Sequence, residues 1–227
     1  MDFHGDFNRL HDFVREKLSG SGSCHDFDHT LRVLNNAKLL LNSYPQADAE
    51  VVILSALLHD IARPEEDCSK GKICHAKAGA GQIPEILRNH GFPENIAARA
   101  ADAVRTHRYR GKDKPASLEA ELLFDADKLD SLGAVGIGRA FLFAGHENAR
   151  LHNTEEEALS ADAYSKNDTA YREFLVKLQY LPRKMRTAAG RKMAVERAAF
   201  MTAFFDRLDH EINLQEHTGT NEKKLMG

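Results

Sequence analysis

The sequence has few cysteines, no long apolar run and almost no net charge, and each of these absences excludes a class of protein. Three cysteines among 227 residues, with no Cys-x-x-Cys pair, argue against a disulfide framework and fit a reducing cytosol. No apolar run approaches the ~20 residues of a bilayer span, and the amino-terminal residues lack a signal-peptide core. A net charge of −3 gives no general attraction to nucleic acid. We therefore expect a cytoplasmic protein with neither a membrane nor a stable nucleic-acid partner.

The motifs of several common enzyme classes are also missing. The sequence contains no Gly-x-x-x-x-Gly-Lys-Ser/Thr loop and no Gly-x-Ser-x-Gly elbow. The glycines at positions 133, 136 and 138 do not follow a predicted strand, so they do not form a dinucleotide-binding fingerprint. P-loop, nucleophile-elbow hydrolase and dinucleotide-binding chemistries are thereby excluded.

Helical periodicity dominates the chain. Apolar residues recur at three- and four-residue steps in the first segment, for example at Leu10, Val14 and Leu18. Further helices are predicted over residues 28–43, 48–62, 75–89, 93–106, 118–129, 136–145, 163–178 and 191–215. No segment alternates apolar and polar residues as a half-buried strand does. The predicted fold class is therefore all-α.

The length and composition predict one domain with a single core. Hydrophobic residues make up 42% of the chain, which is enough to build a core in a domain of this size. We expect this domain to span residues 1–217, with a helical subregion at 163–217 and a frayed tail at 218–227. Residues 64–73 are polar and irregular, and they are predicted to form an active-site flap.

One histidine, an adjacent His-Asp pair and a distant aspartate are the most informative residues. His29 lies on the second predicted helix, His59 and Asp60 end an apolar segment, and Asp127 lies far downstream. Asp127 belongs to an Asp-x-Asp-x-x-Asp sequence at 125–130, so three carboxylates are expected close together there. Two imidazoles and two carboxylates suit a catalytic divalent ion. An ion pair of Asp60 with Arg63 is the structural alternative, because a buried carboxylate needs a compensating partner.

Four ordered segments carry a resemblance to a known family: HDFDHTLRVLNNA, ALLHDIARPEED, ICHAKAGA and LLFDADKLDSLGAVGIGRAF. They resemble the HD superfamily of metal-dependent phosphohydrolases, and most closely the small single-domain bacterial branch that includes nucleoside triphosphate pyrophosphohydrolases. The resemblance extends from about residue 25 to residue 190. It implies an all-α HD-domain helical bundle with a catalytic metal held by His29, His59, Asp60 and Asp127. Manganese is the favoured ion, with nickel, cobalt, iron, magnesium and zinc as alternatives.

Five further residues are candidates for a second metal or for the substrate. The resemblance implies that His75 and His107 either bind a second ion or contact substrate phosphate beside one tightly held metal, and the single metal is favoured. Arg32 and Lys128 are candidate phosphate ligands because each lies close to a proposed metal ligand. His25, one turn before His29, is a candidate proton donor to a leaving phosphate. Surface ion pairs, solvation and helix capping are the ordinary alternatives for these side chains.

The function implied by the resemblance is hydrolysis of a small phosphorylated substrate, most specifically of a nucleoside triphosphate to a monophosphate and pyrophosphate. Two alternatives of the same fold stay open, a 5′-nucleotidase and a phosphodiesterase. A third alternative, from another class, is a metal-binding signalling module without turnover. A homodimer is the default expectation for an enzyme of this size.

Overall fold

The computed structural model describes residues 3–20, 26–108 and 114–212, and all regular structure in these ranges is helical. The helices are α1 (Phe7–Leu18), α2 (Phe27–Leu41), α3 (Ala49–Leu58), α4 (Arg63–Cys68), α5 (His75–Asn89), α6 (Glu94–Thr106), α7 (Leu118–Leu129), α8 (Gly133–His146), α9 (Glu155–Ser160), α10 (Ala170–Val176), a 3₁₀ helix (Leu178–Lys184) and α11 (Ala188–Ile212). The all-α prediction is confirmed. Among these helices, none combines the length and the apolar composition that a membrane span requires. The predicted tail at 218–227 and His25 lie outside the described residues.

Helix α3 is the centre of the core. Asp48 caps its amino terminus by accepting hydrogen bonds from the backbone N–H groups of Glu50 and Val51. The rest of the helix is buried, because it packs against α2, α6 and α7. It ends at Leu58, four residues earlier than predicted. From there the chain turns tightly, with Ile61 N donating to Leu58 O at 3.1 Å. Because α3 ends early, His59 and Asp60 lie in the turn that follows it, and both side chains point into the protein.

The segment predicted to be an irregular flap contains a short helix instead. Pro64 occupies the second position of helix α4. A backbone N–H at this position has no intrahelical partner, so proline removes no hydrogen bond there. Lys70 and Gly71 adopt positive φ values of 54° and 79°, and they end the turn that follows. Glu66 of this helix is buried. The prediction of irregular structure is therefore wrong for residues 64–68.

The helix predicted over residues 163–178 is the largest error. Tyr164 has a φ of 62°, which is incompatible with a right-handed helix. Helix α10 begins only at Ala170, where Thr169 caps it by accepting from Arg172 N. The segment before it contains α9, which begins with a capping box of Thr154 and Glu157.

The carboxy-terminal helix is joined to α7 by a buried carboxylate. Asp125 accepts hydrogen bonds from Arg186 N, Thr187 N and Thr187 Oγ1 at 2.8, 2.8 and 2.6 Å. A side chain at Gly190 would collide with the Asp125 carboxylate, so glycine permits this close approach. On the same helix, Arg197 donates to Leu129 O at 2.6 Å. These contacts hold α11 against the helix that carries Asp127.

Candidate metal centre

Five separate elements bring six side chains to one buried place. The contributing side chains are His29 of the first turn of α2, His59 and Asp60 after α3, His75 at the start of α5, His107 just after α6, and Asp127 in the last turn of α7. Local capping fixes the first of these, because Asp26 accepts from His29 N at 2.9 Å and sets where α2 begins. The set is assembled by the packing of α2, α3, α6 and α7 around one another.

The first group of donors consists of His29, His59 and Asp127. Their ligand atoms lie within 4.8 Å of one another. The two Nε2 atoms are 3.2 Å apart, and His29 Nε2 is 3.6 Å from Asp127 Oδ1. Asp60 Oδ2 joins this group at 3.7 Å from the Nε2 atom of each histidine. All four side chains predicted to hold the catalytic ion are therefore close together.

A second group of donors shares Asp60 with the first. Asp60 Oδ1 lies 3.3 Å from His75 Nε2 and 4.0 Å from His107 Nε2, and those two Nε2 atoms are 3.2 Å apart. Asp60, His75 and His107 form a second cluster that could hold an ion. One carboxylate thus presents one oxygen to each group, which is the arrangement of a ligand between two metal positions.

Hydrogen bonds at Nδ1 leave the Nε2 atom of each histidine facing the centre. His59 and His107 donate through Nδ1 to the backbone carbonyls of Ala56 and Val104, at 2.8 and 2.6 Å. A carbonyl can only accept, so in the neutral imidazole Nε2 carries a bare lone pair. The Nε2 atom of His59 faces that of His29, and the Nε2 atom of His107 faces that of His75, each pair at 3.2 Å, and two facing lone pairs repel unless a cation lies between them. About 3 Å is also the expected spacing of two neighbouring ligands that are each about 2.1 Å from one ion.

The other two histidines are oriented by carboxylates, a common arrangement behind metal ligands. His29 Nδ1 is 2.7 Å from Asp130 Oδ2, and His75 Nδ1 is 2.5 Å from Glu66 Oε2. The sequence interpretation assigned no such role to Asp130 or Glu66. The signal for Asp130 was its position one turn after Asp127 on the same helix. Glu66 gave no comparable signal, because its contact with His75 depends on how α4 folds.

Burial favours the neutral form of His29, His75 and His107, which is the form that binds a cation. Burial lowers the pKa of His29 to about 4, in spite of its hydrogen bond to Asp130. Burial also lowers the pKa of His75, and it lowers that of His107 well below its usual value. For Asp127, burial alone would raise the pKa, but the charge of Lys128 holds it well below the usual value. Neutral nitrogen donors and ionised carboxylates are the forms that coordinate a divalent ion.

Arg32 has contacts that differ from the predicted role at phosphate. Its Nε and Nη2 atoms donate to the two oxygens of Asp130 at 2.8 and 3.2 Å. Arg139 donates to Asp130 Oδ2 at 2.7 Å. The two guanidinium groups compensate the buried Asp130 charge and fix the carboxylate that orients His29. A phosphate contact of Arg32 stays a prediction.

The three aspartates of α7 separate instead of forming one acidic cluster. Asp127 faces the donor group, Asp130 contacts His29, and Asp125 holds the chain before α11. Successive side chains on a helix are rotated by about 100°, which accounts for the divergence. Asp127 and Asp130 lie at opposite ring nitrogens of His29, whereas Asp125 contacts residues 186 and 187, so the three carboxylates do not share one site. Lys128 does lie against Asp127, as its place in the sequence suggested.

A cavity of about 640 Å³ opens beside the donor groups, and His75, His107 and Asp127 are part of its wall. Its charged lining is mostly basic: the cations are Arg63, Arg108, Lys128, Arg139, Arg172 and Lys177, and the other carboxylates are Asp168 and Glu173. Three of these cations adjoin the centre. Arg63 Nη2 is 3.2 Å from Asp60 Oδ1, and Arg108 Nη2 is 3.1 Å from Glu66 Oε1. The third, Lys128, pairs with Asp127. The cavity suits a small ligand with several negative charges.

The geometry of the centre and its cavity defines a class of protein. A buried set of imidazoles and carboxylates, beside a basic cavity in an all-α fold, is the arrangement of a metal-dependent hydrolase of phosphorylated substrates. The donor set contains only nitrogen and oxygen atoms, and it fits a borderline or hard divalent ion.

Comparison with known proteins shows a matching domain and similar proteins. Residues 26–132 match the model of the HD domain. The chain is 29% identical over 208 residues to the uncharacterized protein YpgQ of Bacillus subtilis, covering 90% of this chain and 92% of YpgQ. The crystal structure of YpgQ in complex with ADP is 28% identical, with a TM-score of 0.69, and the match covers 91% of this chain and 94% of YpgQ. A predicted HD superfamily hydrolase from an uncultured Thermotogales bacterium is 29% identical, with a TM-score of 0.66 and coverages of 91% and 92%. Residues 26–132 therefore match an HD domain, and the chain as a whole is similar to HD superfamily hydrolases, which supports a metal-dependent phosphohydrolase.

Proposed function

We propose that this protein hydrolyses nucleoside triphosphates to monophosphates and pyrophosphate with the help of divalent ions. The observation that supports this most directly is the opening of a buried imidazole and carboxylate centre onto a cavity with six basic side chains. A substrate with several phosphates fits such a lining better than a neutral one, because each phosphate adds negative charge. Similarity to YpgQ, whose structure was determined with ADP, supports a nucleotide as the substrate class.

The proposed ligands of the catalytic ion are His29, His59, Asp60 and Asp127. We assign a second ion to His75, His107 and the other oxygen of Asp60. This differs from the single tightly held ion that the sequence favoured, and it rests on the shared carboxylate. A divalent ion there lowers the pKa of water and polarises a phosphoryl oxygen. Manganese, nickel, cobalt, iron, magnesium and zinc are all compatible with these donors.

The basic side chains around the centre position the substrate phosphates. Arg63 reaches both donor groups, since its Nη2 atom is 3.4 Å from Asp60 Oδ2 of the first group and 3.4 Å from His75 Nε2 of the second. Lys128 lies beside Asp127 at the first group. These two cations sit where charge develops on the phosphoryl oxygens, and they stabilise it in a site from which water is largely excluded. His25 is kept as the proposed proton donor to the leaving phosphate.

The first test is product analysis with a panel of nucleotides. The manganese-reconstituted protein is incubated with ribo- and deoxynucleoside mono-, di- and triphosphates, and pyrophosphate and orthophosphate are measured separately. Pyrophosphate released from triphosphates, and absent with Asp60→Ala, is the expected result. Orthophosphate released from monophosphates would identify a nucleotidase instead. No product from any nucleotide, with metal still bound to the wild type, would contradict the proposal and favour another phosphorylated substrate or a binding module.

The second test is the number of bound ions. His107→Ala removes a proposed ligand of the second ion only, so the metal content should fall from two ions per chain to one. His146→Ala is the matched control, because the His146 side chain is 78% exposed. Metal content is measured by mass spectrometry after removal of free ions. One ion in the wild type would contradict the assignment of the second site without affecting the first.

A further inference from the structure

Part of the cavity wall is aromatic and aliphatic, and the proposed hydrolysis of phosphate does not use it. Phe143 of α8 and Tyr164 of the following loop both line the cavity, with ring centroids 6.2 Å apart and planes at 65°. Ala163, Val176, Leu178 and Leu181 continue this surface. The aromatic surface belongs to the same cavity as His75 and His107, so one ligand can contact both.

Tyr164 is held in an unfavourable backbone conformation by buried polar contacts. Its φ of 62° costs a residue with a side chain about 1 kcal/mol or more. Its backbone N–H donates to Asp168 Oδ2 at 2.7 Å, and Arg172 Nη1 donates to Asp168 Oδ1 at 3.0 Å. Arg172 Nε also donates to Ala161 O at 3.1 Å, at the start of the same loop. These contacts hold Tyr164 at the cavity, where the residue is 68% exposed.

The charged groups of this part of the wall contact each other. Asp168 is engaged by Tyr164 N and by Arg172, and Glu173 Oε1 accepts from Lys177 Nζ at 2.5 Å. In addition, the wall presents two aromatic side chains and aliphatic carbon to a ligand. A flat, uncharged heterocycle matches that surface, and a phosphate does not.

We propose that Tyr164 and Phe143 form the subsite for the nucleobase and bind it by stacking. The inference rests on the proposed function, since it supposes that the substrate is a nucleotide with its phosphates at the metal centre. Every base has an aromatic face, so stacking predicts similar affinity for adenine, guanine, cytosine and uracil nucleotides. Tyr164 is then a residue that determines binding strength and leaves the chemical step unchanged.

The test is equilibrium binding of the four nucleoside diphosphates and of inorganic tripolyphosphate to the metal-loaded protein. Tyr164→Ala should weaken all four nucleotides by roughly tenfold, the usual effect of losing one stacked base. Tripolyphosphate has no base, so its affinity should not change. Tyr164→Phe keeps the ring and should bind all four nucleotides as the wild type does. Tyr180→Ala is the control, because Tyr180 is 43% exposed but does not line the cavity.

Each other outcome overturns the proposal in a recognisable way. If Tyr164→Ala binds nucleotides like the wild type, the base lies elsewhere while the proposed function stands. Equal weakening of nucleotides and tripolyphosphate would assign Tyr164 to the phosphates or to the fold, and thermal unfolding of the variant separates those two. Weakening of one base alone would contradict recognition by stacking. If the wild type binds tripolyphosphate but no nucleotide, the proposed function fails together with the subsite.

Discussion

Residues 26–132 and residues 133–212 line one cavity with different kinds of surface. The first region contributes buried histidines and carboxylates, and each of its histidines has an Nδ1 partner that fixes the ring. The second contributes Phe143 of α8, Tyr164 of the loop after α9 and aliphatic side chains, together with charged side chains that are engaged in ion pairs. The family model matches the first region only. The difference teaches that the groups proposed for the chemical step are held by buried polar contacts of the first region. The proposed contact with the base of the substrate comes from the second region.

The largest expected effect is that of Asp60→Asn in the first region. Asp60 presents one oxygen to each donor group, so the amide should lower the metal content at both positions. Activity should fall about 10³-fold, since a catalytic ion contributes several kcal/mol at about 1.4 kcal/mol per factor of ten. Asp102→Asn on α6 is the control, because Asp102 is 71% exposed. A normal metal content in Asp60→Asn would contradict the assignment of this carboxylate to both ions.

Two aspartates, Asp125 in α7 and Asp130 just after it, allow the two regions to be tested separately. Asp130 orients His29, and its replacement by asparagine should reduce metal affinity or activity by about 10- to 100-fold, as other partners of metal-bound histidines do. Asp125 is equally buried, but it holds residues 186 and 187 of the second region. Asp125→Asn should lower the free energy of unfolding by about 1–3 kcal/mol with the metal affinity retained. Metal titration and urea unfolding of both variants check this, and an equal loss of metal affinity would remove the distinction.

Acid should destabilise the first region of the metal-free protein. The pKa of His29 is about 4 in the folded state and 6.5 in a model peptide. Between these values the unfolded chain binds a proton that the folded protein does not bind, so stability falls as the pH falls from 6.5 towards 4. The loss amounts to about 3 kcal/mol for this one residue. Burial shifts the pKa values of His75 and His107 in the same direction.

Urea unfolding of the metal-free protein across this pH range measures the effect. His29→Gln should have a shallower dependence on pH than the wild type, because one buried titrating group is missing. His146→Gln should keep the wild-type dependence, since the side chain is exposed in both states. A wild-type stability that stays constant between pH 6.5 and 5 would be inconsistent with neutral buried imidazoles.

The smallest expected effect is that of Asp168→Asn in the second region. Asparagine can replace only part of the contacts with Tyr164 N and Arg172, so the loop should loosen and the free energy of unfolding should fall by about 2 kcal/mol. The rate at saturating substrate should stay unchanged, while the KM for nucleotides rises several-fold. Asp162→Asn, exposed in the same loop, is the control. A fall in the saturated rate would show that this region also takes part in the chemistry.

Local signals in the sequence predicted most of the helices. The predicted segments 75–89 and 118–129 coincide with α5 and α7, and α6 begins one residue later than predicted. Apolar periodicity and caps such as Ser117, which accepts from Ala120 N, depend only on neighbouring residues. The same reasoning failed at residues 163–169, because the left-handed Tyr164 is maintained by the distant partner Arg172 and by Asp168. It failed again at α4, where Pro64 begins a helix and does not merely end one.

By itself the sequence determined the helical class and the types of residue that can bind a metal, since these follow from composition, periodicity and order along the chain. Only the tertiary structure decided that Asp60 faces two groups of donors, that Arg32 and Arg139 compensate Asp130, and that Glu66 is buried behind His75. Those contacts join residues of separate elements, and their distances depend on how the helices pack. Packing is set by the summed burial of many side chains, and no local pattern in the sequence records it.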